Sequence, residues 1–155
     1  SGGQRNNGTM TIPNARGVVR CINQAISESG INRNDIDYIS GHLSSTIADT
    51  LEIKNWSDAL LRNGADFPYI NSLKSLTGHC IGATGAIETI AAVLQLYHGF
   101  IHGNINAENI HPEIEKIVDT SKIPLKTFNC NFNTLIKASF GFGDVNSCVI
   151  IKKIS

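Results

Sequence analysis

The run Lys74-Ser-Leu-Thr-Gly-His79-Cys-Ile-Gly-Ala-Thr-Gly85, continuing as Ala86-Ile-Glu-Thr-Ile-Ala-Ala-Val-Leu-Gln-Leu-Tyr-His98, decides how the chain folds. From about Cys80 to His98 it is nearly all apolar, with Glu88 and Gln95 as interruptions. A helix apolar on most of its faces is an internal one, so the spacing predicts a buried helix. Its longest apolar run, Ala86 to Tyr97, falls well short of the roughly 20 residues that a membrane crossing needs. His79 stands just before the helix, where the positive end of the peptide dipoles favours a neutral, hydrogen-bond-donating imidazole. Gly82 and Gly85 leave room for neighbouring backbone.

Upstream, Val18, Val19, Ile22, Ala25 and Ile26 recur at helical spacing, with Pro13 and Asn14 suited to the start and Gly30 to the end. Asp37 to His42 is a short strand-like run that ends in a polar loop, and a second helix is expected from near Asp49 to Arg62. Pro68 to Ser72 reads as another strand. Downstream, Ile101 to Lys126 looks irregular, broken by Pro112 and Pro124, with one helical turn near Glu113 to Val118. Leu135 to Phe142 and Ser147 to Ile154 then form a strand pair around Gly143-Asp-Val-Asn146. Strands alternating with helices and closing on a hairpin predict a layered α/β domain with a mixed sheet.

Composition narrows the function. The chain has 155 residues, 41% hydrophobic and 17% charged, enough for one domain with a real core. Thirteen basic residues balance thirteen acidic ones, so there is no cationic field for nucleic acid or an anionic membrane. Cysteines at 21, 80, 130 and 148 form no CxxC pair, which argues against a disulfide framework or zinc site. His98 and His102 have Gly99 between them and no nearby carboxylate or thiolate, a poor metal site. The first residues lack the basic and apolar blocks of a signal peptide, and the expected location is cytoplasmic.

Three segments carry chemistry: Gly41-His-Leu-Ser-Ser-Thr46, Lys74 to His79 with Gly82-Ala-Thr-Gly85, and Ser139-Phe-Gly-Phe-Gly143. An imidazole at a strand end, followed by small hydroxyl residues, is a donor or acceptor aimed into a loop-lined cleft. Taken alone, His42 or His79 reads better as a structural histidine than as a catalytic one. Together and in this order, the three segments resemble the condensing enzymes of fatty acid and polyketide synthesis, from about Met10-Thr11 to the chain's end.

That resemblance, to the β-ketoacyl-acyl carrier protein synthases, implies the carboxyl-terminal half of a thiolase-like fold across residues 1–155. It implies a decarboxylative Claisen condensation of an acyl thioester with malonyl-acyl carrier protein. In the family two histidines donate to the malonyl thioester oxygen, and His42 and His79 match them. Lys74 matches the family's lysine, expected to pair with Glu52. Ser44 and Thr46 match threonines that bond the pantetheine arm, and Thr11 matches a further hydroxyl near its entrance. Phe142 matches a gating phenylalanine whose backbone N–H helps form the acyl oxyanion hole. The resemblance calls for no cofactor, for acyl carrier protein as partner, and for a homodimer when intact.

The chain also departs from the family's pattern. None of its cysteines stands where the family's nucleophile does, at the head of a buried helix in the amino-terminal half, so this segment alone is expected to be inactive. Cys80 is read as a packing residue. Leu43, Ile47 and Asp144 replace two glycines and a proline, and Asp49 and Glu52 lie one residue closer to His42 than in relatives. Lys137 stands where relatives have small polar residues beside a bound monovalent cation that a glutamate matching Glu88 also ligates. Its ammonium is expected beside Glu88 in the cation's place. The alternatives are a non-catalytic, chain-length-factor-type partner subunit and, less favoured by the motifs, a thiolase acting on coenzyme A.

Overall fold

The structure, a computed structural model, describes residues 13–154. Thr11 therefore lies outside the described residues. The first helix, α1 (Ala15–Ser29), starts at Asn14, whose side chain accepts the Arg16 N–H, and stops at Gly30, which takes the left-handed conformation its missing side chain permits. Strand β1 (Tyr38–Ser40), helix α2 (Ala48–Leu60) and strand β2 (Tyr69–Asn71) follow, near the expected limits.

Lys74–Thr77 forms a single turn, α3, and the apolar run folds as α4 (Thr84–His98) after a 3-10 turn at Ile81–Ala83. The segment expected to be irregular holds two short strands, β3 (Phe100–Ile101) and β4 (Phe128–Asn129), which pair antiparallel, and one turn of helix, α5 (Pro112–Glu115). Two-residue strands leave too little alternation to be read from sequence. The chain closes with β5 (Thr134–Gly141) and β6 (Val145–Lys152), joined more tightly than expected, by Phe142–Asp144 alone.

The main sheet runs β2-β1-β5-β6. The first three strands are parallel and β6 is antiparallel to β5, so the sheet is mixed, as expected. Alternation along the strands sorts the core into two layers. Ile39 and Ile136 face α1 and α2, joining Val18, Ile22, Ile53 and Trp56. Tyr38 and Leu135 face the other way, joining Ala92 and Leu96 of α4. Burying side chains of this size stabilises by about 1.5–3 kcal/mol each, which makes both faces of the sheet, and hence its register, well determined.

The expectation of a buried α4 is corrected. Its sheet-facing side holds Thr84, Glu88, Ala92, Gln95 and Leu96, whereas Ile87, Ile90, Val93, Leu94 and Tyr97 are exposed among the described residues. Counting apolar residues overlooked which of them the sheet could cover. Gln95 earns its inward place by donating to the Tyr38 hydroxyl (3.0 Å) and accepting the His102 N–H (2.9 Å). No helix among the described residues is long and apolar enough to cross a membrane.

Asp144 ties the last turn to the start of α1. Its Oδ1 accepts the Asn14 N–H at 3.1 Å and an Asn146 side-chain N–H at 2.9 Å. In a capping box, a glutamate at the third helical position makes the bond to the cap's own N–H. Here that position is Gly17, and a Cβ on it would lie 2.9 Å from Asp144 Oδ2. The glycine thus admits a carboxylate from a distant turn, which completes the cap. The bond also steadies Asp144 in a left-handed conformation (φ 62°) unusual for a residue with a side chain.

Candidate active site

Parallel strands end on the same edge of a sheet, and crevices form beyond their carboxyl ends. Ser40 pairs with both Asn71 and Lys137, so β1 and β2 finish at one level while β5 runs on past it to Gly141. The loop carrying His42 after β1 and the turn carrying His79 after β2 therefore converge. The rings of His42 and His79 lie 5.4 Å apart between centroids and nearly perpendicular, at 79°.

Each imidazole is held differently. The His42 backbone N–H donates to Glu52 Oε1 at 2.7 Å, fixing the loop as it leaves β1. Burial, reinforced by the Lys74 charge, pushes the His42 imidazole down from 6.5 to about 4. His79 accepts the Ile81 N–H on Nδ1 at 3.0 Å, with the Thr84 hydroxyl 3.1 Å from the same atom. With Nδ1 accepting, the neutral ring carries its proton on Nε2, which becomes the donor. His79 is exposed and His42 half-buried, so one ring faces solvent while the other backs onto the core.

Glu52 does not pair with Lys74. It lies buried in α2, and the same Oε1 also accepts the Trp56 indole N–H at 3.2 Å. Burial raises its carboxyl from 4.5 to about 7. Lys74 instead reaches Glu88 Oε1 at 2.5 Å, in the second turn of α4, to which α3 is joined by residues 78–83. Lys137 takes the other oxygen, Glu88 Oε2, at 2.7 Å, so its ammonium does lie beside Glu88. The three side chains form a buried Lys–Glu–Lys triad.

Asp49 organises the hydroxyl loop by accepting the backbone N–H groups of Ser44 and Ser45, each at 3.0 Å. Ser44 Oγ and Thr46 Oγ1 then lie 3.2 Å apart. Pro13, His42, Ser44, Asp49, Glu52 and Phe140 line a cleft on this side. Phe142 is exposed at the tip of the terminal turn. The ring nearest the histidines is Phe140, 6.1 Å from His42 and 6.3 Å from Trp56. It escaped the sequence reading, although alternation along the last strands placed it on the same face as Ala138.

A mixed α/β half-domain that brings two imidazoles together beyond the ends of its parallel strands has the build of a thiolase-like condensing enzyme. The family model of the beta-ketoacyl synthase C-terminal domain matches residues 1–108. The chain is 36% identical over 143 residues to barley 3-oxoacyl-acyl-carrier-protein synthase I, covering 91% of this chain and 30% of that protein. It is 37% identical to synthase 1 of Buchnera aphidicola from Acyrthosiphon pisum, covering 93% and 34%. A solved type II polyketide ketosynthase in complex with its acyl carrier protein superposes with a TM-score of 0.85 at 31% identity, covering 98% of this chain and 37% of that one. The ishigamide ketosynthase/chain length factor superposes at 0.86 and 28% identity, covering 97% and 36%. The chain belongs to the beta-ketoacyl synthase family, whose C-terminal domain it matches, and it spans about a third of the length of these relatives.

Proposed function

We propose that the chain supplies the two-histidine part of a 3-oxoacyl-acyl carrier protein synthase that performs decarboxylative condensation with malonyl-acyl carrier protein. The observation that carries this reading is the 5.4 Å approach of the His42 and His79 rings, with His79 Nε2 left as a donor. Both imidazoles donate to the malonyl thioester oxygen. As carbon dioxide leaves, charge builds on that oxygen, and preorganised donors stabilise it; losing one such donor typically costs 10²–10³ in rate. His42, held neutral to about pH 4, keeps this role across the physiological range.

Lys74 holds Glu88 and adds positive charge behind His42, while Glu52 positions the His42 backbone. Ser44 and Thr46, and Thr11 beyond the described residues, offer hydroxyls to the pantetheine arm. The Phe142 backbone serves the acyl oxyanion. The nucleophile comes from polypeptide outside these residues, and the exposed apolar side of α4 is where that polypeptide packs. The complete enzyme is read as a cytoplasmic homodimer. Two imidazoles within reach of one atom favour an enzyme over a non-catalytic partner subunit.

The test uses the intact protein that carries this chain. Substituting His79→Ala should abolish malonyl decarboxylation, and His42→Ala should do the same. Wild-type decarboxylation in either variant overturns the reading.

A further inference from the structure

We propose that Lys137 is a tethered counter-ion, its ammonium closing to free monovalent cations a buried oxygen-lined site beside Glu88. Three oxygens of different kinds converge on Lys137 Nζ: Glu88 Oε2 at 2.7 Å, the Ala138 carbonyl at 2.5 Å and Ser139 Oγ at 2.8 Å. Carboxylate, carbonyl and hydroxyl oxygens are what a hard cation gathers around itself. An ammonium has three N–H bonds to give, and here each has an acceptor.

The strand explains how the lysine comes to be there. Leu135 faces α4, so by alternation Lys137 and Ser139 do too, while Ile136 and Ala138 face α1 and α2. Glu88 is on the sheet-facing side of α4, directly opposite. The Lys137 side chain is 4% exposed, Glu88 2% and Lys74 6%. A free ion entering this site would have to sit against two ammoniums that already share one carboxylate, without water to screen them. The residues present therefore do not fit the bound monovalent cation that the family resemblance implies. In its place the positive charge is covalently part of β5.

The two arrangements differ in their dependence on ions. A free ion stabilises the folded state by mass action and is lost when its concentration falls, whereas a tethered ammonium is always present. Replacing Lys137 by alanine removes the charge and opens the space, leaving the same oxygens for an ion to use. Replacing it by methionine removes the charge but keeps most of the volume.

Thermal unfolding of the intact protein in choline chloride, titrated with potassium, rubidium or ammonium chloride at constant ionic strength, tests this without using condensation activity. A failure here is therefore distinct from a failure of the synthase reading on which the site's purpose rests. The wild-type midpoint should be the same in all four salts. Lys137→Ala should unfold several degrees lower in choline and recover saturably as potassium rises, and Lys137→Met should stay low in every salt. A saturable potassium response in the wild type, or a folded Lys137→Ala indifferent to every cation, overturns the proposal. Should Lys137→Ala fail to fold in any salt, wild-type crystals soaked in rubidium decide: no anomalous peak beside Glu88 supports it, and a peak there overturns it.

Discussion

Helices α1 and α4 are both fifteen residues long, yet they bury opposite kinds of side chain. On α1 the sheet covers Val18, Cys21, Ile22 and Ile26, while Arg16, Arg20, Gln24 and Glu28 meet solvent. On α4 the sheet covers Glu88 and Gln95 along with Ala92, and solvent meets Ile90, Val93, Leu94 and Tyr97. The first helix is a finished surface element, held by transfer of apolar area from water. The second is held by specific polar partners and presents its apolar side outward. An apolar helix face of this extent marks a surface built to be covered.

The largest effect should come from the polar side of α4. Glu88→Ala strands two buried ammoniums and should cost about 3–5 kcal/mol, the range for breaking a buried ion pair; chemical denaturation measures it, and a loss under 1 kcal/mol would mean the triad is not closed to water. On α1, Ile22→Ala should cost about 2–5 kcal/mol through lost burial and the cavity left behind. The two helices would then be equally necessary for opposite reasons.

Next comes a change of pH dependence. The Glu52 carboxyl is raised from 4.5 to about 7, so the folded state keeps a proton that the unfolded chain has lost, and stability falls as pH rises through that window. The His42 imidazole is lowered from 6.5 to about 4, so the unfolded chain takes a proton that the folded state refuses, and stability falls as pH drops through that window. The two offset one another between about pH 4.5 and 6.5. Glu52→Gln removes the first and should leave stability falling steadily below pH 6.5 in denaturant titrations; a profile unchanged from wild type would contradict the Glu52 assignment, and a flat profile in the variant the His42 one.

Smaller still, Asp144→Ala should cost about 1 kcal/mol, as loss of a helix cap does, with Asp144→Asn retaining most of it because an acceptor remains. The least effect belongs to the outer side of α4. In the chain alone, Leu94→Ser should change stability by no more than about 0.5 kcal/mol, whereas in the intact protein it should cost as much as Ile22→Ala. Equal, small effects in both would mean that nothing covers that side.

The same contrast explains what could be read from sequence. α1 was legible from its periodicity and its Asn14 and Gly30 ends, and the closing hairpin from its turn residues, since those signals are local. The meeting of His42 and His79 was expected only through the motif resemblance; geometrically it follows from β1 and β2 being parallel neighbours. The partner of Lys74 was misjudged because spacing along the chain cannot say which of two buried glutamates a lysine reaches. Glu88 interrupts an apolar run in the sequence, and only the resemblance put Lys137 beside it; in the fold it is the centre of the buried side of α4. Phe140 was passed over for Phe142 because the motif drew attention to the turn rather than to the strand before it.

The most direct measurement is a crystal structure of the intact protein with a malonyl-thioester analogue that cannot lose carbon dioxide. The account predicts the thioester oxygen within hydrogen-bond distance of both the His42 and His79 rings. An oxygen held by only one ring, or bound away from both, would contradict it.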